Sequence, residues 1–140
     1  MKELEITFRS FDGFETIRSC LAKYVRENLR GNSGLMEVAL IEAVNNAMKY
    51  GIAKNGNRII RIKLRIQNGK RLIIRVKDHG PGFEANNRLK EINAEQENAF
   101  EKCLYDESGR GLLIMNEAAD LVTYNECGNE VLMVKAIPSP

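Results

Sequence analysis

Residues 60–78 read IRIKLRIQNGKRLIIRVKD, and this stretch decides the fold class. Ile60, Ile62, Leu64 and Ile66 alternate with Arg61, Lys63 and Arg65, the period of a strand with one apolar and one solvated face. Asn68-Gly69 follows at once and marks a two-residue hairpin, because both residues accept positive φ. The return strand carries Leu72, Ile74 and Val76 on its apolar face, and Asp78 stands next in the same row. Antiparallel strands with one buried face follow from this pattern.

Upstream, Leu4, Ile6 and Phe8 alternate with Glu5, Thr7 and Arg9 and predict a first strand. Asp12 and Glu15 have the spacing of a capping box, with Phe14, Ile17, Leu21, Val25 and Leu29 at helical spacing behind them. Gly31 to Gly34 break that helix. A second helix over 35–50 is apolar nearly all round, which predicts burial on most of its surface, and Gly51 suits its stop. Downstream, 84–108 is rich in Glu and Asn and reads mainly as a mobile insertion with weak helical tendency. Ser108-Gly109-Arg110-Gly111 leads into the helical LLIMNEAA, and strands around 120–126 and 130–137 close one domain of 1–137. Residues 138–140 form a frayed tail.

Composition narrows the function classes. Hydrophobic residues make up 44% and charged residues 29% of 140, the balance of a globular domain. A net charge of +2 is too small to argue for nucleic acid or an anionic membrane. Basic residues between Arg58 and Lys77 alternate with apolar ones and read as a solvated sheet face. No apolar run approaches the roughly 20 residues of a membrane span, and MKELEITFRS has no signal-peptide core, so a reducing cytoplasm is the expected setting. Cys20, Cys103 and Cys127 are odd in number and far apart, which suggests neither a disulfide framework nor a zinc site. His79 is the one histidine. A multi-histidine metal site within one chain is therefore excluded, and a Ser-His-Asp triad would have to be built on a turn residue.

Three features carry chemistry. Glu42 and Asn46 stand one helical turn apart, so a carboxylate and a carboxamide share one face beside an apolar stripe. The amide oxygen suits Mg²⁺ and the carboxylate can take a proton; alternatively both sit at the helix edge in water or pair with an arginine. Asp78-His79-Gly80-Pro81-Gly82 places an acid in a core-facing row, where it could accept from an exocyclic amine such as that of adenine. Gly80 and Gly82 would let the backbone pass a flat ring; the plainer reading is a Gly-Pro-Gly turn capped by Asp78. Gly109-Arg110-Gly111 opens a helix whose N-terminus favours phosphate, with Arg110 able to add a charge-assisted contact; alternatively it is a flexible entry with a solvated arginine. No Walker or Rossmann pattern occurs.

Taken together and in order, these segments resemble the boxes of the GHKL ATPases. Glu42-Ala-Val-Asn-Asn46-Ala is similar to their N-box, Asp78-His-Gly-Pro-Gly82-Phe to the G1 box, and Gly109-Arg-Gly111-Leu-Leu-Ile-Met115 to the G2 box. The resemblance runs over nearly the whole chain. With no preceding sensor or dimerisation helices expected, its short form is similar to the anti-sigma-factor serine/threonine kinases. The resemblance implies a Bergerat-type two-layer α/β (α+β) sandwich, its sheet mixed but mainly antiparallel, with helices on one face and a flexible ATP lid over 84–108. By position, Asn46 would coordinate Mg²⁺ and Glu42 would be the catalytic base. Asp78 would bind the adenine amine, Gly80 and Gly82 would line the base, and Gly109, Arg110 and Gly111 would face the phosphates of ATP. The implied partners are a STAS-type anti-anti-sigma protein, phosphorylated on Ser or Thr, and a sigma factor, bound by a homodimer; neither nucleic acid nor membrane is expected as a direct partner. Alternatives are a non-catalytic, ATP-gated binding regulator and a stand-alone signalling ATPase domain.

Overall fold

The computed structural model describes residues 3–10, 12–31, 33–52, 56, 58–94 and 107–139, and for Glu107 and Ser108 the backbone alone. Five strands form one sheet: β1 (Glu3–Phe8), β2 (Ile60–Gln67), β3 (Arg71–Lys77), β4 (Leu121–Tyr124) and β5 (Glu130–Ala136). Their spatial order is β1-β2-β3-β5-β4, and every pairing among these strands is antiparallel. Four described helices complete the fold: α1 (Phe14–Leu29), α2 (Gly34–Tyr50), α3 (Ala85–Ala94) and α4 (Glu107–Ala118). The result is an α+β two-layer sandwich, as the resemblance implies, but among the described strands the sheet is antiparallel throughout rather than mixed.

Register explains the core. Ile62 stands opposite Val76 and Leu64 opposite Ile74, while Val76 and Ile74 face Val131 and Met133 across the next ladder. All six are buried, and α2 covers them with Met36, Leu40 and Val44. Fully burying an aliphatic side chain of this size contributes about 1.5–3 kcal/mol, so this row holds helix to sheet. The opposite face carries Arg61, Lys63 and Arg75, with Glu5, Glu3 and Glu130 3.6–3.8 Å away. Such exposed pairs add little stability and chiefly keep the face solvated.

Several local details depart from the expectation. Asp12 does not cap α1; the N-cap is Gly13, at φ 75°, with no side-chain cap. The Asp12 N–H instead donates to Ser10 Oγ at 3.3 Å. Asn68 and Gly69 do take positive φ (53° and 68°), and Lys70 N–H donates to the Gln67 carbonyl at 2.9 Å. Pairing resumes at Gln67 and Arg71, however, so the loop has three residues. The Lys70 carbonyl accepts from Ile137 N–H at 2.8 Å, beside the Arg71–Ala136 pair of the next ladder. Helix α2 leaves Leu35 and Val38 exposed at 52% and 46%, so its first two turns have an open apolar flank.

The polar segment 84–108 opens with packed structure. Ala85, Leu89 and Ile92 of α3 are buried against α4 and β4. Their spacing of three and four is the helical signal, diluted in sequence by the polar residues between them. Residues 95–106 of the expected lid, and Cys103 with them, lie outside the described residues. Cys20 and Cys127 are exposed free thiols. Among the described residues, no helix is long and apolar enough to cross a membrane.

Candidate functional site

Helix α2 supplies the first half of the site. Glu42 is half-buried on it, and Asn46, one turn further on, is only 6% exposed. Helix α4 packs directly against this row. A methyl group at Gly111 would lie 3.0 Å from Glu42 Oε2 and 3.7 Å from Asn46 Nδ2. A Cβ at Gly111 would therefore crowd the Glu42 carboxylate and stand at ordinary contact distance from Asn46. The missing Cβ brings the α4 backbone to them, which is why glycine stands there. Helix α4 begins at Glu107, so Gly109 and Gly111 lie inside its first turns rather than ahead of them. The amides of that first turn have no carbonyl partner within the helix, as at any helix N-terminus, and they favour an anion. Gly109 is buried and Arg110 exposed.

The second half of the site is the turn after β3. Asp78 is 5% exposed and accepts from the Gly80 N–H at 2.7 Å. Burial pushes its carboxyl above the ordinary range, while the Gly80 N–H and His79 pull it back. The end of α2 meets this turn. A methyl at Gly51 would lie 2.7 Å from Asp78 Cβ, and one at Gly80 would lie 2.8 Å from Gly51 Cα. Gly51 has φ −90°, so it serves close approach rather than a left-handed helix stop. Helix α2 thus carries Glu42 and Asn46 along its length and seats Asp78 at its end.

Gly82 takes φ +81°, and a Cβ on it would collide with the Cys127 carbonyl of the β4–β5 turn. At both Gly80 and Gly82 the space a side chain would need is filled by protein backbone, so in this structure both glycines set the path of the turn. Asn129 ties the turn from the other side, its Nδ2 donating to the Gly80 carbonyl at 3.2 Å. Asn125 Oδ1 in turn accepts from the amides of Gly128, Asn129 and Glu130 at 2.8–3.2 Å and holds that hairpin in shape.

The clustering of three rings is not foreseen in the sequence. Tyr50 stacks on Phe83 at 4.5 Å and 18°, and Phe83 meets Tyr124 edge-on at 5.2 Å and 76°. They come from α2, from the turn after Asp78 and from β4, three places far apart in the chain. Only the row of inward residues on β4 could have pointed to Tyr124.

A carboxyl pushed up by burial has a definite pH signature. Its folded-state value lies above its unfolded one, so folding is fully favoured below the unfolded value and weakened as pH rises through the folded one. Asp78→Asn removes that burden. The variant is expected to melt higher than wild type at pH 7, with the gain shrinking as pH falls into the ordinary carboxyl range. Melting curves across that range test this; a gain that grows on acidification would overturn it.

A model of the histidine kinase-like ATPase domain matches residues 14–135. The chain belongs to that family. Comparison with curated proteins gave no match. The match runs from the start of α1 into β5 and so contains the Glu42–Asn46–Gly111 junction and the Asp78 turn. An ATPase domain binds ATP, and these two features are its polar, glycine-lined parts. The residues also fit a hard cation held alongside the nucleotide. Asn46 Nδ2 is buried without a hydrogen-bond partner, an uncompensated state that a ligand or a shift of the amide would relieve. Among the described residues no cluster of three or more His, Cys, Asp or Glu could cage a metal. One side-chain oxygen plus phosphate oxygens and water is the arrangement Mg²⁺ accepts.

Proposed function

We propose that this ATPase domain is a protein kinase that moves the γ-phosphoryl group of ATP to a Ser or Thr of a STAS-type regulatory partner. In the same reading it works as a homodimer and sequesters a sigma factor. The observation that carries the catalytic part is the contact of Gly111 with Glu42 and Asn46, which sets a carboxylate, a carboxamide and the first turns of a helix side by side. Glu42 makes no ion pair or side-chain hydrogen bond among the described residues, so its carboxylate is available to a substrate hydroxyl. It would accept the hydroxyl proton as the oxygen attacks the γ-phosphorus and the bond to the β-phosphate oxygen breaks. Asn46 would hold Mg²⁺ through Oδ1; when bound, the ion neutralises phosphate charge. The α4 amides and Arg110 would receive phosphate oxygens, and Asp78 the adenine amine. Catalysis of this kind rests on positioning and charge neutralisation.

Calorimetric titration of Mg·ATP tests the reading. Wild type is expected to bind with magnesium dependence, and Asn46→Ala to lose that dependence. Asp78→Asn should weaken ATP by about 10–100-fold, the worth of a hydrogen bond to a charged group. Absence of binding at millimolar ATP would overturn the kinase reading.

A further inference from the structure

The β1–β2 ladder ends at the pair of Phe8 with Ile60, and just beyond that pair the two chains border a cavity. Its volume is about 380 Å³, and Arg9, Ile52, Gly56 and Arg58 line it. None of the four belongs to α4 or to the Glu42–Asn46 row, so the cavity is separate from the phosphate end of the nucleotide site.

The lining is basic and unneutralised. Arg58 stands in the inward parity of Ile60 and Ile62, a row of buried apolar residues, and its Nε is buried without a hydrogen-bond partner. Among the described residues neither Arg9 nor Arg58 makes an ion pair or a side-chain hydrogen bond. The neighbouring sequence offers no remedy, because no Asp or Glu occurs from Ala43 to Lys77. A buried donor left unmade costs about 1–3 kcal/mol, and more on a charged group. Two cations around one desolvated space add repulsion to that cost. An anion in the cavity removes both.

The backbone holds the site ready. Ile52 and Arg58 form an isolated antiparallel bridge, which ties the chain on either side of Gly56. Ile52 is 46% exposed and gives the cavity an apolar wall.

We infer that Arg9 and Arg58 form a binding site for a phosphate-type oxyanion, with Arg58 Nε–H and the Arg9 guanidinium donating to its oxygens beside Ile52. Charge favours phosphate over carboxylate. Two cations match a group that carries about −1.5 to −2 at pH 7 and three acceptor oxygens, whereas a carboxylate brings one charge and two oxygens. The volume is at the low end of small-molecule sites, about 300–1,000 Å³, and admits either the free ion or a small phosphorylated molecule.

Arginine Nε–Hε groups give their own signals in proton–nitrogen correlation spectra. The full chain is titrated with inorganic phosphate, and separately with glycerol phosphate, at constant ionic strength in wild type, Arg9→Gln and Arg58→Gln. No nucleotide is present, so the outcome does not depend on whether the domain is a kinase. The expected result is a saturable downfield shift of Arg58 Hε, with the Ile52 amide moving at the same midpoint. In Arg9→Gln the midpoint should rise about 10-fold or more, the loss of a hydrogen bond to a charged group. A lower midpoint for glycerol phosphate identifies a phosphorylated molecule as the ligand, and equal midpoints identify the free ion. Arg58→Gln assigns the Hε signal by its absence. Should that variant not fold, backbone correlation assigns the signal, and Arg9→Gln, a change at an exposed residue, carries the test. No saturable shift at millimolar phosphate, an unmoved midpoint in Arg9→Gln, or shifts confined to the α4 amides would each overturn the inference. An equal response to acetate at matched ionic strength would reduce the effect to screening and also overturn it.

Discussion

Glu42→Gln is expected to lower phosphoryl transfer by about 10²–10⁴-fold, the usual contribution of a positioned general base. Nucleotide affinity should stay within about threefold of wild type, because a group acting only in the transition state leaves ground-state binding alone. The substitution is close to isosteric, and Glu42 makes no ion pair or side-chain hydrogen bond among the described residues, so little else is lost. Glutamine fills the same space beside Gly111 but cannot take a proton. The measurement is single-turnover transfer of labelled γ-phosphate to a STAS-type acceptor, beside calorimetry with ATP. Transfer at the wild-type rate would remove Glu42 as the base. Parallel loss of binding and transfer would assign it to the nucleotide instead.

The second large effect concerns stability. Gly82→Ala is expected to cost more than about 3 kcal/mol, in the range reserved for steric or backbone conflicts rather than ordinary substitutions. Two costs combine at this position. The residue holds φ +81°, which an L side chain resists, and its Cβ would enter the Cys127 carbonyl, a backbone atom that cannot swing aside. Gly13 separates the two: it has φ +75° with nothing within 4 Å of a Cβ. Gly13→Ala should therefore lose only about 1 kcal/mol, the left-handed penalty alone. Urea unfolding of both variants decides the matter. A Gly82→Ala loss no greater than that of Gly13→Ala would mean that the Asp78 turn does not rest on the β4–β5 hairpin. Because the same turn presents Asp78, the variant should also weaken ATP in whatever fraction remains folded.

The local patterns in this chain were legible because they are written in periodicity. Alternation over 60–66 and 72–76 needs no partner to be read, and it yields two strands, their inward row and the place of Asp78 in it. The same holds for α2, whose spacing puts Glu42 and Asn46 on one face. Turn chemistry is local as well, and Asn68 and Gly69 took the positive φ their types permit. Even there pairing closes at Gln67 and Arg71, so the loop holds three residues rather than two.

Contacts between distant segments have no such signature. That β5 enters between β3 and β4 depends on which apolar edges can be covered together, and no single strand encodes it. Gly51 is the helix stop it looked like, but its lack of a side chain also serves Asp78, 27 positions later and 2.7 Å from where its Cβ would be. Leu89 and Ile92 look like stray apolar residues in a polar segment until α4 and β4 supply a surface for them. Asn46 is the clearest case. Its identity and its place on α2 follow from the sequence, whereas the burial of its amide nitrogen without a partner arises only in the folded structure, where α4 packs on α2 and Gly111 comes beside it. A covalent chain specifies its neighbours along the backbone; which groups share a desolvated space, where an unpaired amide is costly, arises only when the layers close.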